Sequence, residues 1–235
     1  MRRALNHLRK ADPVLQRVIE RVGSYRLKPR SEGTHFDHIA RAIVYQQLSG
    51  KAAATIHGRV CALFPNAAID PALLLTMPDE QLRAAGLSRA KAAYLRDLAA
   101  RSTSGALRVD MLHELPDDDI LSQLVAVKGV GVWTAQMFLM FRLGRLDILP
   151  GSDLGIRKGV QMAYGMRSLP TPKKVEELGA RWAPYRTVAS WYLWRLLDVE
   201  PAPRQRRKSS AAKRKTTKRK PAQRTARKRP RRVTA

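Results

Sequence analysis

Apolar residues recur three and four positions apart along most of the first 200 residues, and no convincing apolar/polar alternation of the strand type interrupts them. The pattern predicts a nearly all-α chain. Asp12-Pro13 opens a helix with Val14, Leu15, Val18, Ile19 and Val22 on one side, proline at a tolerated early position and Gly23 as its stop. A longer pattern runs from about His35 to Phe64 with a break near Ser49-Gly50. Further helices are predicted at 79 to 85, 88 to 101, 117 to 126, 132 to 143, 153 to 164, 172 to 180 and 184 to 197. Connections such as LFPNAAIDP and LPGSD are short and rich in glycine and proline, as compact helical domains require.

Hydrophobic residues fill 44% of 235 positions, enough for a substantial core, so collagen-like and wholly disordered chains are excluded. Charge is distributed unevenly. Of 45 lysines and arginines, 16 fall at 201 to 235 together with none of the 19 acids, so the formal charge of +26 divides into +10 on the body and +16 on this tail. The tail lacks Leu, Ile, Phe, Tyr and Trp, so it is expected to be disordered when free and to hold nucleic acid by phosphate neutralisation. Cys61 is the single cysteine, which excludes an internal disulfide and any four-thiolate metal site and points to a reducing compartment. Charges interrupt the opening segment MRRALNHLRKADPV, and no later run approaches a membrane span, so a soluble intracellular protein without membrane contact is expected. His7, His35, His38, His57 and His113 are scattered and are read as structural; Asp117, Asp118 and Asp119 suit a helix start.

The segment from Leu124 to Thr134 places Gly129-Val130-Gly131 between two helical patterns. Such a turn brings backbone close to a ligand, and the free N–H groups of the helix that follows make an anion site suited to phosphate. It is not a dinucleotide fingerprint, because Thr134 stands where a third glycine belongs and no strand precedes it.

With its flanks, this segment resembles the helix-hairpin-helix element of the DNA glycosylase superfamily, and Leu149-Pro150-Gly151-Ser152-Asp153-Leu154-Gly155 resembles that superfamily's Gly/Pro loop and catalytic aspartate. Two further stretches, Ile43 to Ser49 and Leu82 to Ala92, are similar to the branch that contains DNA-3-methyladenine glycosylase II. The resemblance spans about residues 10 to 198. It implies an all-α, two-lobed glycosylase fold over 1 to 200, with lobes at about 31 to 144 and at 1 to 30 plus 145 to 200, followed by the disordered basic tail.

The implied chemistry is hydrolytic excision of alkylated purines, of the 3-methyladenine and 7-methylguanine type, from double-stranded DNA by a monomeric protein. It is assigned to the nucleoid of the cytoplasm, or to the nucleus of a nucleated cell. Asp153 is the catalytic candidate; its bland role is a helix cap paired with Arg157. Trp133, Met137, Tyr45 and Trp194 are candidates for holding the damaged base, whereas Trp182 and Trp191 are read as core anchors. Gln47 is the wedge candidate and Gln46 the candidate for bracing its loop, with DNA contacts expected from Ser88, Lys91, Lys128, Gly129, Val130 and Gly131. No cofactor is implied beyond a structural Na or K ion on the Val125, Val127 and Val130 carbonyls. Bifunctional relatives carry a Schiff-base lysine where this chain has Trp133, so strand cleavage is not expected. Met137 replaces a pocket tyrosine, and the β-containing N-terminal domain of longer members is missing, which leaves the lesion range open. A non-catalytic helix-hairpin-helix DNA-binding or nucleoid-associated protein is the alternative, since hairpin and tail alone would serve it.

Overall fold

Side chains at several helix starts, among them Asp12, Thr34, Ser49 and Ser88, capture free backbone N–H groups. The computed structural model describes residues 1 to 199; the basic segment at 201 to 235, with its expected disorder and DNA contact, lies outside the described residues. The helices are α1 (Arg2–Ala11), α2 (Pro13–Val22), α3 (His35–Tyr45), α4 (Gly50–Cys61), α5 (Pro71–Thr76) and α6 (Asp79–Ala84). They continue with α7 (Arg89–Thr103), α8 (Asp117–Val125), α9 (Val132–Phe141), α10 (Leu154–Ala163), α11 (Pro172–Gly179) and α12 (Arg186–Val199). Among the described residues no strand occurs and no helix is long and apolar enough to cross a membrane.

The helix predicted after Asp12 is α2. The Asp12 carboxylate accepts from the Val14 and Leu15 amides, and Gly23 ends the helix at φ 85°. Thr34 and Asp37 close a capping box on α3. The long pattern from His35 divides into α3 and α4 because the chain leaves helical geometry at Gln46 and Gln47 takes a left-handed φ of 55°. Two helices escape the pattern. In α1 only Ala4 and Leu8 are buried, too sparse a stripe to stand out among its charges, and α5 has six residues.

Buried side chains form two clusters. One gathers Phe36, Ile43, Leu82, Leu95, Leu98 and Leu139 from α3 through α9; the other gathers Leu8, Leu15, Ile156, Trp182, Val188 and Tyr192 from α1, α2, α10, α12 and the turn after α11. Trp194 packs against both. Trp182 is fully buried and Trp191 lies edge-on to Tyr25 and Tyr192, which are core-anchor positions. On α10, a side chain on Gly159 would stand 2.6 Å from the Leu193 carbonyl oxygen, so this glycine sets the approach of α12.

Asp12 ties the second cluster together. Its carboxylate is buried and, besides capping α2, accepts from the Trp182 indole at 2.8 Å and from the Tyr164 hydroxyl. Burial alone would raise its pKa, but the bonds from Tyr164, Trp182 and the two amides outweigh it and hold the carboxyl below its ordinary value. A depressed carboxyl stabilises the fold fully above the ordinary carboxylate range, and that contribution fades as pH falls through the folded value. Asp12→Ala orphans the buried Trp182 donor, the partly buried Tyr164 hydroxyl and a helix start, and is expected to cost about 3 kcal/mol in urea denaturation at neutral pH. The gap from wild type should narrow toward pH 3; a gap unchanged over that range would contradict the role given to the charge.

Candidate active site

The hairpin between α8 and α9 is built on Gly129, whose φ is 80°. A Cβ there would sit 2.2 Å from the Tyr94 ring of α7, so position 129 is restricted to glycine by backbone and by packing. The Val130 amide closes the turn onto the Val127 carbonyl at 3.0 Å. Gly131 caps α9 with no side chain, and a Cβ there would meet nothing within 4 Å. The start of α9 therefore faces open space with its first N–H groups available to an anion. Lys128 stands exposed beside the turn, and its backbone amide donates to Asp97 Oδ2 at 2.9 Å. Burial would raise the Asp97 carboxyl, but the bonds from Lys128 and Arg101 prevail and keep it below its ordinary value.

Two residues into α9, the Trp133 indole is about half exposed (48%) and donates through Nε1 to Asp153 Oδ2 at 2.8 Å. Asp153 begins α10. Its other oxygen accepts from the Ile156 amide at 2.8 Å and from Trp194 Nε1 at 2.8 Å. Asp153 caps the helix and also presents a partly exposed carboxylate beside an exposed indole. Arg157 does not pair with it, donating instead to the Pro170 carbonyl at 2.7 Å. Trp194 reaches the carboxylate because position 155 has no side chain: a Cβ there would lie 2.8 Å from the indole Nε1 and 3.0 Å from Asp153 Oδ1. Gly155 belongs to the site, yet in the sequence it reads only as part of the Gly/Pro loop.

Trp194 also stacks on Phe141, with ring centroids 5.8 Å apart and planes 27° apart. Phe141 lines a cavity of about 340 Å³ together with Tyr45, Met137 and Phe138. Asp153 and the two indoles do not line it, so Phe141 is the link between the cavity and the carboxylate. Lys28, Arg30, Arg41 and Arg142 also line the cavity, and the Arg41 guanidinium lies 3.9 Å over the Tyr45 ring.

Gln47 is exposed at the tip of the α3–α4 connection. Its φ of 55° is a costly geometry for a residue with a side chain, of the kind retained where a group must be aimed. Gln46 turns the other way and donates to the Gly129 carbonyl at 2.8 Å.

Lys91 was expected to meet DNA, but its partly buried ammonium is committed within the protein: it donates to the Val44 and Gln46 carbonyls, each at 2.7 Å, where the last turn of α3 leaves acceptors unpaired. Burial holds its pKa below the ordinary lysine value. Ser88 is exposed and accepts the Lys91 amide at 3.3 Å as the cap of α7. The histidines do not converge: His35 accepts from Arg142 at 3.0 Å, His57 adjoins Cys61 at 3.7 Å, and no metal-binding group of His, Cys, Asp or Glu occurs among the described residues.

A helical fold with a glycine hairpin open to an anion, and an aspartate held beside an exposed indole, defines a nucleic-acid-directed class of protein. Residues 40 to 184 match the HhH-GPD superfamily of base excision DNA repair proteins, and the chain belongs to that superfamily. It is 33% identical over 192 residues to DNA-3-methyladenine glycosylase 1 of Schizosaccharomyces pombe, covering 80% of this chain and 84% of that one. The solved structure of a Schizosaccharomyces pombe 3-methyladenine DNA glycosylase in complex with abasic DNA superposes with a TM-score of 0.72 at 32% identity, covering 83% of this chain and 97% of that one. A DNA-3-methyladenine glycosidase of Bacillus halodurans superposes with a TM-score of 0.75 at 38% identity, covering 81% and 87%.

The two hairpin glycines separate by their surroundings. Gly129→Ala must displace the Tyr94 ring and strain the backbone, and is expected to cost about 2 kcal/mol or more. Gly131→Ala meets only open space and should cost less than about 1 kcal/mol. Paired urea melts check this, and equal costs would refute the contrast.

Proposed function

We propose that this chain is a monofunctional alkylbase DNA glycosylase, hydrolysing the N-glycosidic bond of purines of the 3-methyladenine and 7-methylguanine type in double-stranded DNA as a step of base excision repair. The observation that carries it is the Asp153 carboxylate, held at the start of α10 by the indole N–H groups of Trp133 and Trp194. Alkylation at a ring nitrogen makes the base cationic, so it departs with the glycosidic electron pair as a neutral purine and requires no general acid. Positive charge then develops at the sugar C1′, and a fixed carboxylate stabilises it more than water would. Water adds to C1′ and gives up its proton, with Asp153 the nearest base and an abasic site the product.

The remaining residues supply extrusion and grip. Unstacking a base costs a few kcal/mol. Stacking on an aromatic face returns roughly 1–3 kcal/mol, and a cationic base gains further from the exposed face of Trp133. Met137 offers a polarizable sulfur in the neighbouring cavity that Tyr45 and Phe141 line. Gln47, with amide donor and acceptor groups, fills the gap and bonds to the orphaned partner base. The N–H groups at the start of α9, from Gly131 onward, hold a phosphate, Lys128 adds charge, and Ser88 lies at a second helix start.

The carbonyls of Val125, Val127 and Val130 are oxygen donors of the type that alkali cations accept. Val127 already receives the Val130 amide and would offer its second lone pair. A Na or K ion held there would steady the turn and bring positive charge toward the phosphate. The protein acts as a monomer in the DNA-containing compartment, with the 201 to 235 segment raising local DNA concentration.

Asp153→Asn keeps one acceptor for the indoles and removes the charge. It should bind DNA near normally while releasing methylated purines at least about a hundredfold more slowly, read by chromatography of bases freed from methylated DNA. Wild-type protein that frees no base would sink the enzyme reading in favour of a binding module. A borohydride-trapped adduct with nicking of abasic DNA would sink its monofunctional part.

A further inference from the structure

Lys91, Tyr94 and Asp97 stand three apart on one side of α7. Each touches a different part of the proposed DNA-facing surface. Lys91 Nζ holds the Val44 and Gln46 carbonyls at 2.7 Å, immediately before Gln47. The Tyr94 ring fills the space that a side chain on Gly129 would need. Asp97 receives the Lys128 amide at 2.9 Å and is itself fixed by Arg101 Nε at 2.9 Å. Gln46 closes the circuit by donating to the Gly129 carbonyl at 2.8 Å. The loop that carries the wedge and the turn that grips phosphate thus share one rigid support, although more than 80 residues separate them in the chain.

We infer that Lys91 and Gln46 are positioning residues that lock the Gln47 loop to the hairpin through α7, so that phosphate grip and base extrusion are delivered as one unit. The inference rests on the glycosylase reading. Its physical basis is that an ammonium placed on two unpaired helix-end carbonyls fixes that end in register, as a merely packed apolar residue would not. A wedge displaced by a fraction of an ångström from the gap that it must enter loses most of its effect, because the stack tolerates little mismatch.

The test separates extrusion from chemistry. Single-turnover release of 7-methylguanine is measured from two duplexes, one with the lesion opposite cytosine and one with it opposite an abasic-site analogue, where less pairing remains to be broken. Lys91→Met and Gln46→Ala should each slow release from the paired duplex about tenfold or more. On the unpaired duplex the loss should stay below about threefold. Gln46→Ala alters a half-exposed side chain, so it carries the test if Lys91→Met fails to fold. Equal slowing on both duplexes, or none on either, overturns the inference. If wild-type protein releases no base at all, the functional reading falls, and 2-aminopurine fluorescence at the lesion position reads extrusion alone. A rise with wild type that both variants lose then upholds the brace; a rise that they keep, or no rise with wild type, overturns it.

Discussion

A carboxylate with both oxygens engaged by N–H donors is the constraint around which the rest of this molecule is arranged. Asp153 must begin a helix to receive the Ile156 amide, must lie within reach of α9 to receive Trp133, and must be approached by α12 to receive Trp194. Three elements distant in sequence are therefore fixed relative to one carboxyl group. The charge is kept near solvent by donors that do not neutralise it, unlike Asp147, which forms a two-pronged pair with Arg186. An anion held by neutral donors keeps its field available to a cation developing nearby, whereas an ion pair spends it locally.

Close approach of helices makes this possible, and missing side chains permit the approach. Gly155 and Gly159 lie one turn apart on α10: the first lets the Trp194 indole reach the carboxylate, and the second lets the Leu193 backbone come within contact. Trp194 is then packed against both hydrophobic clusters while its ring edge faces Asp153 and its plane covers Phe141. Packing this close adds dispersion contacts between the two helices. The same economy holds at the hairpin, where Gly129 rests on Tyr94 and the following glycine leaves the helix start uncovered.

Most of the fold is legible in the sequence because helix signals are local. Asp12-Pro13 acts on backbone groups two or three residues away, so its meaning survives without knowledge of neighbours. The helices that escaped, α1 and α5, are short or carry too few apolar positions to display a period. Of the site, Asp153, Trp133 and the hairpin glycines were visible as a motif, and Trp194 and Met137 through family likeness. Lys91 was misread, because a lysine at a helix start looks the same whether its amine meets a phosphate or a carbonyl of another helix.

The sequence by itself determined where most of the longer helices begin and end, which of their faces are apolar, and that a glycine turn precedes an aspartate by a fixed interval. These are matters of backbone geometry and period, set within a few residues. Tertiary structure alone decided which donors reach Asp153, that Gln46 meets Gly129, and that Lys91, Tyr94 and Asp97 serve two loops from one helix. Those contacts join residues tens of positions apart, and their existence depends on the angle and spacing at which helices pack, quantities that no local pattern of residue types encodes.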